Sequence, residues 1–103
     1  SNAFKLMKND DIFINIGRGA IVDETALVEA LRNKDILGCG LDVLRQEPID
    51  MNHPLLKFDN VVIVPHIGSA SRLTRDRMVQ LCVNNIVAVL NKQLPITPVK
   101  VNN

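Results

Sequence analysis

The stretch INIGRGAIVDE, residues 14–24, joins an apolar segment to two glycines and then to the beginning of a helix-like run. A strand, a glycine turn and a helix in this order open the dinucleotide-binding βα unit, whose fingerprint is G-x-G-x-x-G. The position of the third glycine is occupied here by Val22. A second glycine pair, Gly38 and Gly40, has Val43 at that position. We therefore interpret neither pair as a phosphate-binding loop.

Apolar runs before and after this stretch predict an α/β fold. The segments IFINI (Ile12–Ile16), Ile36–Leu44 and VVIVP (Val61–Pro65) have the length of strands and are bounded by turn residues. IFINI and VVIVP are apolar without alternation, which is typical of a parallel sheet covered on both faces, so IFINI is expected to be buried. We predict a partial Rossmann-type three-layer sandwich with a parallel sheet of about three strands and a long C-terminal helix.

Capping residues mark where two helices begin. Asp23 is a candidate N-cap for a helix that ends near Asn33 and has apolar residues at helical spacing. Ser69 or Ser71 is a candidate cap for a long helix that reaches about Lys92. The expected apolar face of this second helix comprises Met78, Leu81, Cys82, Ile86, Val89 and Leu90.

The segments outside these elements are predicted to be turns and loops. Phe4–Lys8 is interpreted as the last turn of a helix, because Asn9 and Asp10 follow it with turn-forming chemistry. Arg45–Asp59 contains two prolines and is predicted to be an irregular loop with one short helical turn around Leu55.

Size and composition exclude several classes of protein. The chain has 103 residues, a net charge of +1, 47% hydrophobic residues and only 3% aromatic residues. Nucleic-acid binders use a basic field and stacked rings, so no nucleic-acid partner is predicted. The apolar stretch 81–90 is too short to span a bilayer, so no membrane partner is predicted. Cys39 and Cys82 lack the spacing of metal ligands and are interpreted as reduced core thiols of a cytoplasmic protein without a metal site.

Polar residues follow each predicted strand at the end where parallel sheets carry their functional groups. Arg18 follows the first strand, Asp42 and Glu47 come at the end of the second, and His66 follows the third. The carboxyl ends of parallel strands share one edge, so these side chains are expected to meet there. A basic residue to hold a carboxylate, a histidine to move a proton and an acid to orient it suit a 2-oxo acid. Capping and solvent-facing roles are equally compatible with this spacing.

Several motifs together resemble one family of enzymes. NIGRGAIVDETALVEAL (15–31), GLDV (40–43) followed by Glu47-Pro48, NHPLL (52–56) and VVIVPHIGSAS (61–71) resemble the D-isomer-specific 2-hydroxyacid dehydrogenases, and most of all their glyoxylate/hydroxypyruvate reductase branch. The resemblance implies that residues 4–94 form the C-terminal half of a Rossmann-like NAD(P)-binding domain. It also implies that the parent protein reduces a small 2-oxo acid to the D-2-hydroxy acid with NAD(P)H.

The resemblance assigns a role to individual residues at this edge. Arg18 would bind the substrate carboxylate, His66 would transfer the proton to the keto oxygen, and Glu47 would hydrogen-bond His66. Asp42 would accept a hydrogen bond from the carboxamide of the nicotinamide, while His53 of NHPLL is expected to be structural. The residues assigned to cofactor binding are Ile16, Gly17, Asp42 and Gly68.

The resemblance covers only part of a family subunit. A glycine-rich phosphate loop, a ribose-reading residue and a substrate domain are not found in the sequence, so the choice between NAD and NADP stays open and the isolated chain is predicted to be inactive. A non-catalytic, nicotinamide-sensing module of the family's corepressor branch and an inactive truncated product are the alternatives. Ser1-Asn2-Ala3 is typical of a cleaved expression tag, and residues 95–103 are predicted to be a flexible tail.

Self-association is expected from the first strand. In the family's strand order IFINI would lose its outer neighbour, and it carries no charge, proline or bulge that would protect an exposed edge. We therefore predict a homo-oligomer with Phe13 or the helix 71–92 at the contact.

Overall fold

The computed structural model describes residues 2–100. The chain divides into two compact units, Ser1–Gly68 and Ser69–Asn103. Ser1 of the predicted tag and residues 101–103 of the predicted tail lie outside the described residues. Within residues 2–100, no helix is both long enough and apolar enough to cross a membrane.

A parallel sheet forms the centre of the first unit. Within its described residues the strands are β1 (Ile12–Asn15), β2 (Gly38–Leu41) and β3 (Val61–Ile63), in the order β1-β2-β3. Ile14 pairs with Gly40, and Gly40 pairs in turn with Val62. The parallel α/β sheet is therefore confirmed. Each strand is shorter than predicted, since β1 excludes Ile16, β2 excludes residues 36–37 and 42–44, and β3 excludes residues 64–65.

The helix α1 (Glu24–Asn33) connects β1 to β2 and covers one face of the sheet. Its N-cap is Asp23, whose Oδ1 accepts a hydrogen bond from the amide of Ala26 at 3.1 Å. It ends at Asn33, and the left-handed backbone of the C-cap residue Lys34 (φ 60°) turns the chain so that the amide of Asp35 donates to the carbonyl of Ala30 at 2.9 Å. Both predicted ends of this helix are confirmed, because capping depends on local sequence.

The core under α1 is aliphatic. Leu27, Ile36 and Leu55 are its largest fully buried side chains. Phe4 and Phe13 add an edge-to-face ring pair with centroids 5.2 Å apart. Short 3₁₀ turns complete the unit and lie at Phe4–Leu6, Gly19–Ile21 and Pro54–Lys57. The predicted helical turn around Leu55 is thus confirmed.

The other face of the sheet is open, which corrects two predictions. Ile14 is 60% exposed and Val62 is 65% exposed, while Gly40 between them has no side chain. IFINI is therefore not buried, and the sheet is not covered on both faces within the described residues. The reason is that residues 42–60, which connect β2 to β3, form a loop and a 3₁₀ turn on the α1 side rather than a helix on the opposite face.

The second unit contains the long helix α2 (Arg72–Leu90). Ser71, one of the two predicted caps, accepts a hydrogen bond from the amide of Thr74 at 3.2 Å. The predicted apolar face is largely exposed, and among the described residues of α2 only Ala88 is buried. Cys82 on this face is exposed and is therefore not a core thiol, whereas Cys39 is buried as predicted. Asn85 Oδ1 accepts a hydrogen bond from the amide of Thr97 at 3.1 Å, which ties the following segment to the helix.

Candidate active site

A pocket of about 370 Å³ lies at the carboxyl ends of β2 and β3. Asp42, Glu47 and His66 line it. Its remaining walls are apolar and include Leu44, Ile49 and Ile63. Two segments that are far apart in sequence thus bring three predicted site residues to one cavity.

The side chains of Glu47 and His66 form a hydrogen bond in this pocket. Glu47 Oε2 lies 2.9 Å from His66 Nδ1, and both side chains are about half exposed. Glu47 Oε1 accepts a hydrogen bond from the amide of Leu44 at 2.9 Å. The hydrogen bond from His66, then that from the Leu44 amide, hold the pKa of Glu47 below its usual value, and the charge of Arg18 adds a smaller effect in the same direction. Glu47 is therefore ionised at neutral pH, and Nε2 is the ring nitrogen of His66 that it leaves available.

The backbone at His66 is left-handed, with φ 54°. This conformation is uncommon for residues other than glycine and is costly for most of them. The buried carboxylate of Asp42 stabilises the turn that follows, because Oδ1 accepts from the amide of Ile67 at 2.6 Å and Oδ2 accepts from the amide of Gly68 at 2.7 Å. Asp42 thereby fixes the direction in which the imidazole leaves the main chain.

The turn that carries Arg18 is closed by Asn15 at the end of β1. The buried amide of Asn15 donates from Nδ2 to the carbonyl of Arg18 at 3.1 Å, and its Oδ1 accepts from the amide of Gly17 at 3.1 Å. The exposed Arg18 side chain donates from Nη1 to the carbonyl of Gly17 at 2.8 Å. Gly19 follows where a Cβ would lie 2.0 Å from the Leu44 carbonyl, so glycine is required there. The motif is therefore a turn that presents an arginine.

The residues assigned to the cofactor are compatible with a carboxamide ligand. Ionised carboxylates offer about four acceptor positions, and the amides of Ile67 and Gly68 occupy two of those on Asp42. A Cβ at residue 68 would lie 2.8 Å from Asp42 Oδ2, so Gly68 keeps this oxygen clear of a side chain. Ile16 is exposed and Gly17 begins the Arg18 turn. Their roles toward a cofactor stay predictions.

Two residues that shape the site were not singled out from the sequence. Asn15 is the polar residue of an otherwise apolar run and lies two positions before Gly17, and asparagine commonly closes a turn by accepting from the amide two residues on. Glu24 is an ordinary first-turn acid in sequence, yet its Oε1 accepts a hydrogen bond from the amide of Arg45 at 2.6 Å. No local pattern predicts a contact between residues this far apart. His53 is the N-cap of the turn at Pro54–Lys57, which agrees with a structural role.

Known proteins resemble the chain over most of its length. Residues 1–68 match the family model described as D-isomer specific 2-hydroxyacid dehydrogenase, NAD binding domain. A curated relative, glyoxylate/hydroxypyruvate reductase B of Salmonella newport strain SL254, is 50% identical over 91 residues. These residues cover 88% of this chain and 28% of the relative, so the chain spans just over a quarter of that protein's length.

Solved structures show the same likeness. A protein from Thermus thermophilus is 49% identical with a TM-score of 0.81, and the match covers 94% of this chain and 31% of that one. The NADPH-dependent glyoxylate/hydroxypyruvate reductase from Sinorhizobium meliloti, in complex with NADP and malonate, is 44% identical with a TM-score of 0.84, covering 93% of this chain and 30% of that one. Fold, motifs and family match agree, and the chain belongs to the D-isomer specific 2-hydroxyacid dehydrogenase family, within its NAD-binding domain.

Proposed function

We propose that the chain supplies the proton-transfer and carboxylate-binding residues of an NAD(P)-dependent reductase that converts a small 2-oxo acid to the D-2-hydroxy acid. The observation that carries this proposal is the hydrogen bond between Glu47 and His66 at the carboxyl edge of the sheet. The relatives named glyoxylate/hydroxypyruvate reductase support glyoxylate and hydroxypyruvate as the substrate class. They favour the reductase over the nicotinamide-sensing module.

His66 is the proton donor in this proposal. Its Nδ1 is held by Glu47, so Nε2 is the atom that gives a proton to the keto oxygen and takes it back in the reverse reaction. Glu47 fixes the orientation of the ring, and because its pKa is lowered it keeps its negative charge beside Nδ1 throughout the neutral range. Asp42 holds the backbone from which the ring projects.

Arg18 is the carboxylate-binding residue in this proposal. A guanidinium keeps its charge at every physiological pH and offers a planar pair of N–H groups to a carboxylate. The guanidinium of Arg18 donates only to the carbonyl of Gly17 among the described residues, and the side chain is exposed. A charged arginine with remaining donors, together with a proton-donating histidine, suits a substrate that carries a carboxylate next to a carbonyl.

NAD(P)H would supply the hydride to the keto carbon. Asp42 would accept a hydrogen bond from the carboxamide of the cofactor at the acceptor positions that the Ile67 and Gly68 amides leave unoccupied. Ile16 and Gly17 would lie beside the bound cofactor.

We further propose a cytoplasmic, self-associating protein. Both cysteines, Cys39 and Cys82, lie in the described part of the chain and are free thiols, which suits a reducing compartment.

The test is an assay of the full-length protein that contains these residues. NADPH or NADH oxidation is followed by absorbance with glyoxylate, hydroxypyruvate and, as the control, the corresponding 2-hydroxy acids that have no keto group to reduce. Turnover with a 2-oxo acid is expected. Cofactor binding by calorimetry without turnover of any small 2-oxo acid would overturn the reductase and favour a binding module.

A further inference from the structure

A second pair of histidine and carboxylate lies outside the pocket, at the beginning of α1. Glu24 is the first residue of the helix, and its side chain is only 16% exposed. Its Oε1 accepts from the amide of Arg45 at 2.6 Å, and its Oε2 lies 3.5 Å from His53 Nε2. Arg45 and His53 flank residues 46–52, here called the Glu47 loop. One carboxylate thus contacts both residues that flank the Glu47 loop.

The amide that Glu24 holds is adjacent to the amide that holds Glu47. The Leu44 amide donates to Glu47 Oε1 at 2.9 Å, and the next amide along the chain, that of Arg45, donates to Glu24. The peptide between them also packs against Gly19, where a Cβ would lie 2.0 Å from the Leu44 carbonyl carbon. Glu24 and Gly19 therefore confine the peptide from which the Glu47 loop departs.

The other end of the Glu47 loop is held by one tautomer of His53. Its Nδ1 accepts from the amide of Leu55 at 3.2 Å, so this nitrogen carries no proton. In the neutral ring the proton is then on Nε2, which is the nitrogen that faces Glu24. His53 therefore caps the turn at Pro54–Lys57 and points an N–H toward Glu24 with the same ring.

We propose that Glu24 is a positioning residue for Glu47 and, through it, for His66. This rests on the proposed function of that pair. The ordinary role of an acid at this position is to stabilise the positive end of the helix, which any carboxylate there fulfils. Glu24 instead extends to a different segment of the chain, so its length matters as well as its charge. Length and charge are separable by substitution.

Three substitutions of Glu24 and one control distinguish the two roles. Glu24→Asp keeps the charge but is one methylene shorter, so it loses the hydrogen bond from the Arg45 amide. Glu24→Gln loses the charge and presents its NH₂ group to His53, but it keeps an oxygen that can accept from the Arg45 amide, which is the contact next to the Leu44 amide that holds Glu47. Glu24→Ala loses both. Glu29→Gln is the matched control, because Glu29 is an exposed acid on the same helix.

The first measurement is the titration of the Glu47 carboxyl carbon by NMR in the 103-residue chain. The pKa of Glu47, which is lowered in the wild type, should rise toward its usual value in Glu24→Asp and Glu24→Ala. It should stay close to that of the wild type in Glu24→Gln and Glu29→Gln. Removal of a negative charge by itself lowers the pKa of a neighbouring carboxyl, so a rise in Glu24→Ala reports lost position rather than lost charge.

The second measurement is turnover of the full-length protein. Glu24→Asp should lower kcat by about tenfold to a hundredfold, because a misplaced catalytic group slows the reaction by about this much, and should leave the KM for the cofactor unchanged. Glu24→Gln should retain most of the wild-type kcat. An unchanged Glu47 pKa in folded Glu24→Asp overturns the proposal, as does Glu24→Gln behaving like Glu24→Ala. Absence of turnover in the wild type, with the Glu47 pKa shifting as expected, overturns the proposed function alone.

Discussion

Replacement of Asp42 by asparagine tests how the His66 turn is held. The aspartate accepts two short amide hydrogen bonds, from Ile67 and Gly68, with two different oxygens. Asparagine has a single acceptor oxygen and would present its NH₂ group to the other amide. The variant therefore loses one charge-assisted hydrogen bond and weakens the second.

The size of the effect follows from these two bonds and from the left-handed backbone. Loss of a hydrogen bond to a charged group costs about 1.5–3 kcal/mol, and conversion of the other to a neutral bond costs about 1 kcal/mol more. Relaxation of His66 from φ 54° to an ordinary conformation recovers about 1 kcal/mol. We expect Asp42→Asn to lower the free energy of unfolding by about 2 kcal/mol.

Urea unfolding measures this difference. The chain contains no Trp or Tyr, so far-UV circular dichroism replaces fluorescence. A loss of about 2 kcal/mol corresponds to a decrease of about 1 M in the urea midpoint. Asp59→Asn, the same chemical change at an exposed aspartate, is the control. An unchanged midpoint, with the amides of Ile67 and Gly68 still protected from hydrogen exchange, would refute the assigned role of Asp42.

Further predictions concern the Arg18 turn, pH dependence, catalysis and association. Gly19→Ala should prevent folding of the first unit, because its Cβ would overlap the Leu44 carbonyl, and a native-like amide spectrum would contradict the geometry. Since folding lowers the pKa of Glu47, the stability that this group contributes should be complete above the usual glutamate value of 4.5 and disappear as pH falls through the lower, folded value. The urea midpoints of the wild type and Glu47→Gln should therefore converge in acid, and a difference that persists there would exclude this linkage. In the full-length protein, Arg18→Gln should mainly raise KM for the 2-oxo acid, and His66→Gln should mainly lower kcat; equal kcat in wild type and His66→Gln would remove the histidine from proton transfer. The 103-residue chain should self-associate through the edge of β1, and light scattering that reports a monomer at all concentrations would rule this out.

Local features of the fold were predictable from the sequence, whereas the open face of the sheet was not. Asp23 begins α1 where the sequence indicates, because an N-cap bonds an amide three residues away. The open face of the sheet was not predicted, because an apolar strand has the same sequence whether or not a neighbour covers it. Apolar side chains such as Ile14 indicate a surface that favours burial, but they do not identify what is buried against it.

The motif residues of the candidate site were predictable from the sequence, but most of the side chains that hold them in place were not. Motifs placed Arg18, Glu47 and His66 in one set, and the structure brings the last two into contact. The residues that hold them were harder to predict, since Glu24 bonds an amide 21 positions away and Asp42 bonds amides 25 and 26 positions away. A side chain that supports a distant backbone leaves no periodic pattern in the sequence.

The left-handed backbone of His66 limits which substitutions can report on its imidazole. β-Branched residues are strained in this conformation, whereas asparagine adopts it more readily than most residues. A valine or isoleucine at this position would displace the loop as well as remove the ring, so its phenotype would combine two defects. Asparagine removes the ring while leaving the main chain close to its native course, which makes it the replacement that isolates acid–base chemistry from loop geometry. For the same reason, few of the substitutions that random mutation can introduce at position 66 leave the loop folded.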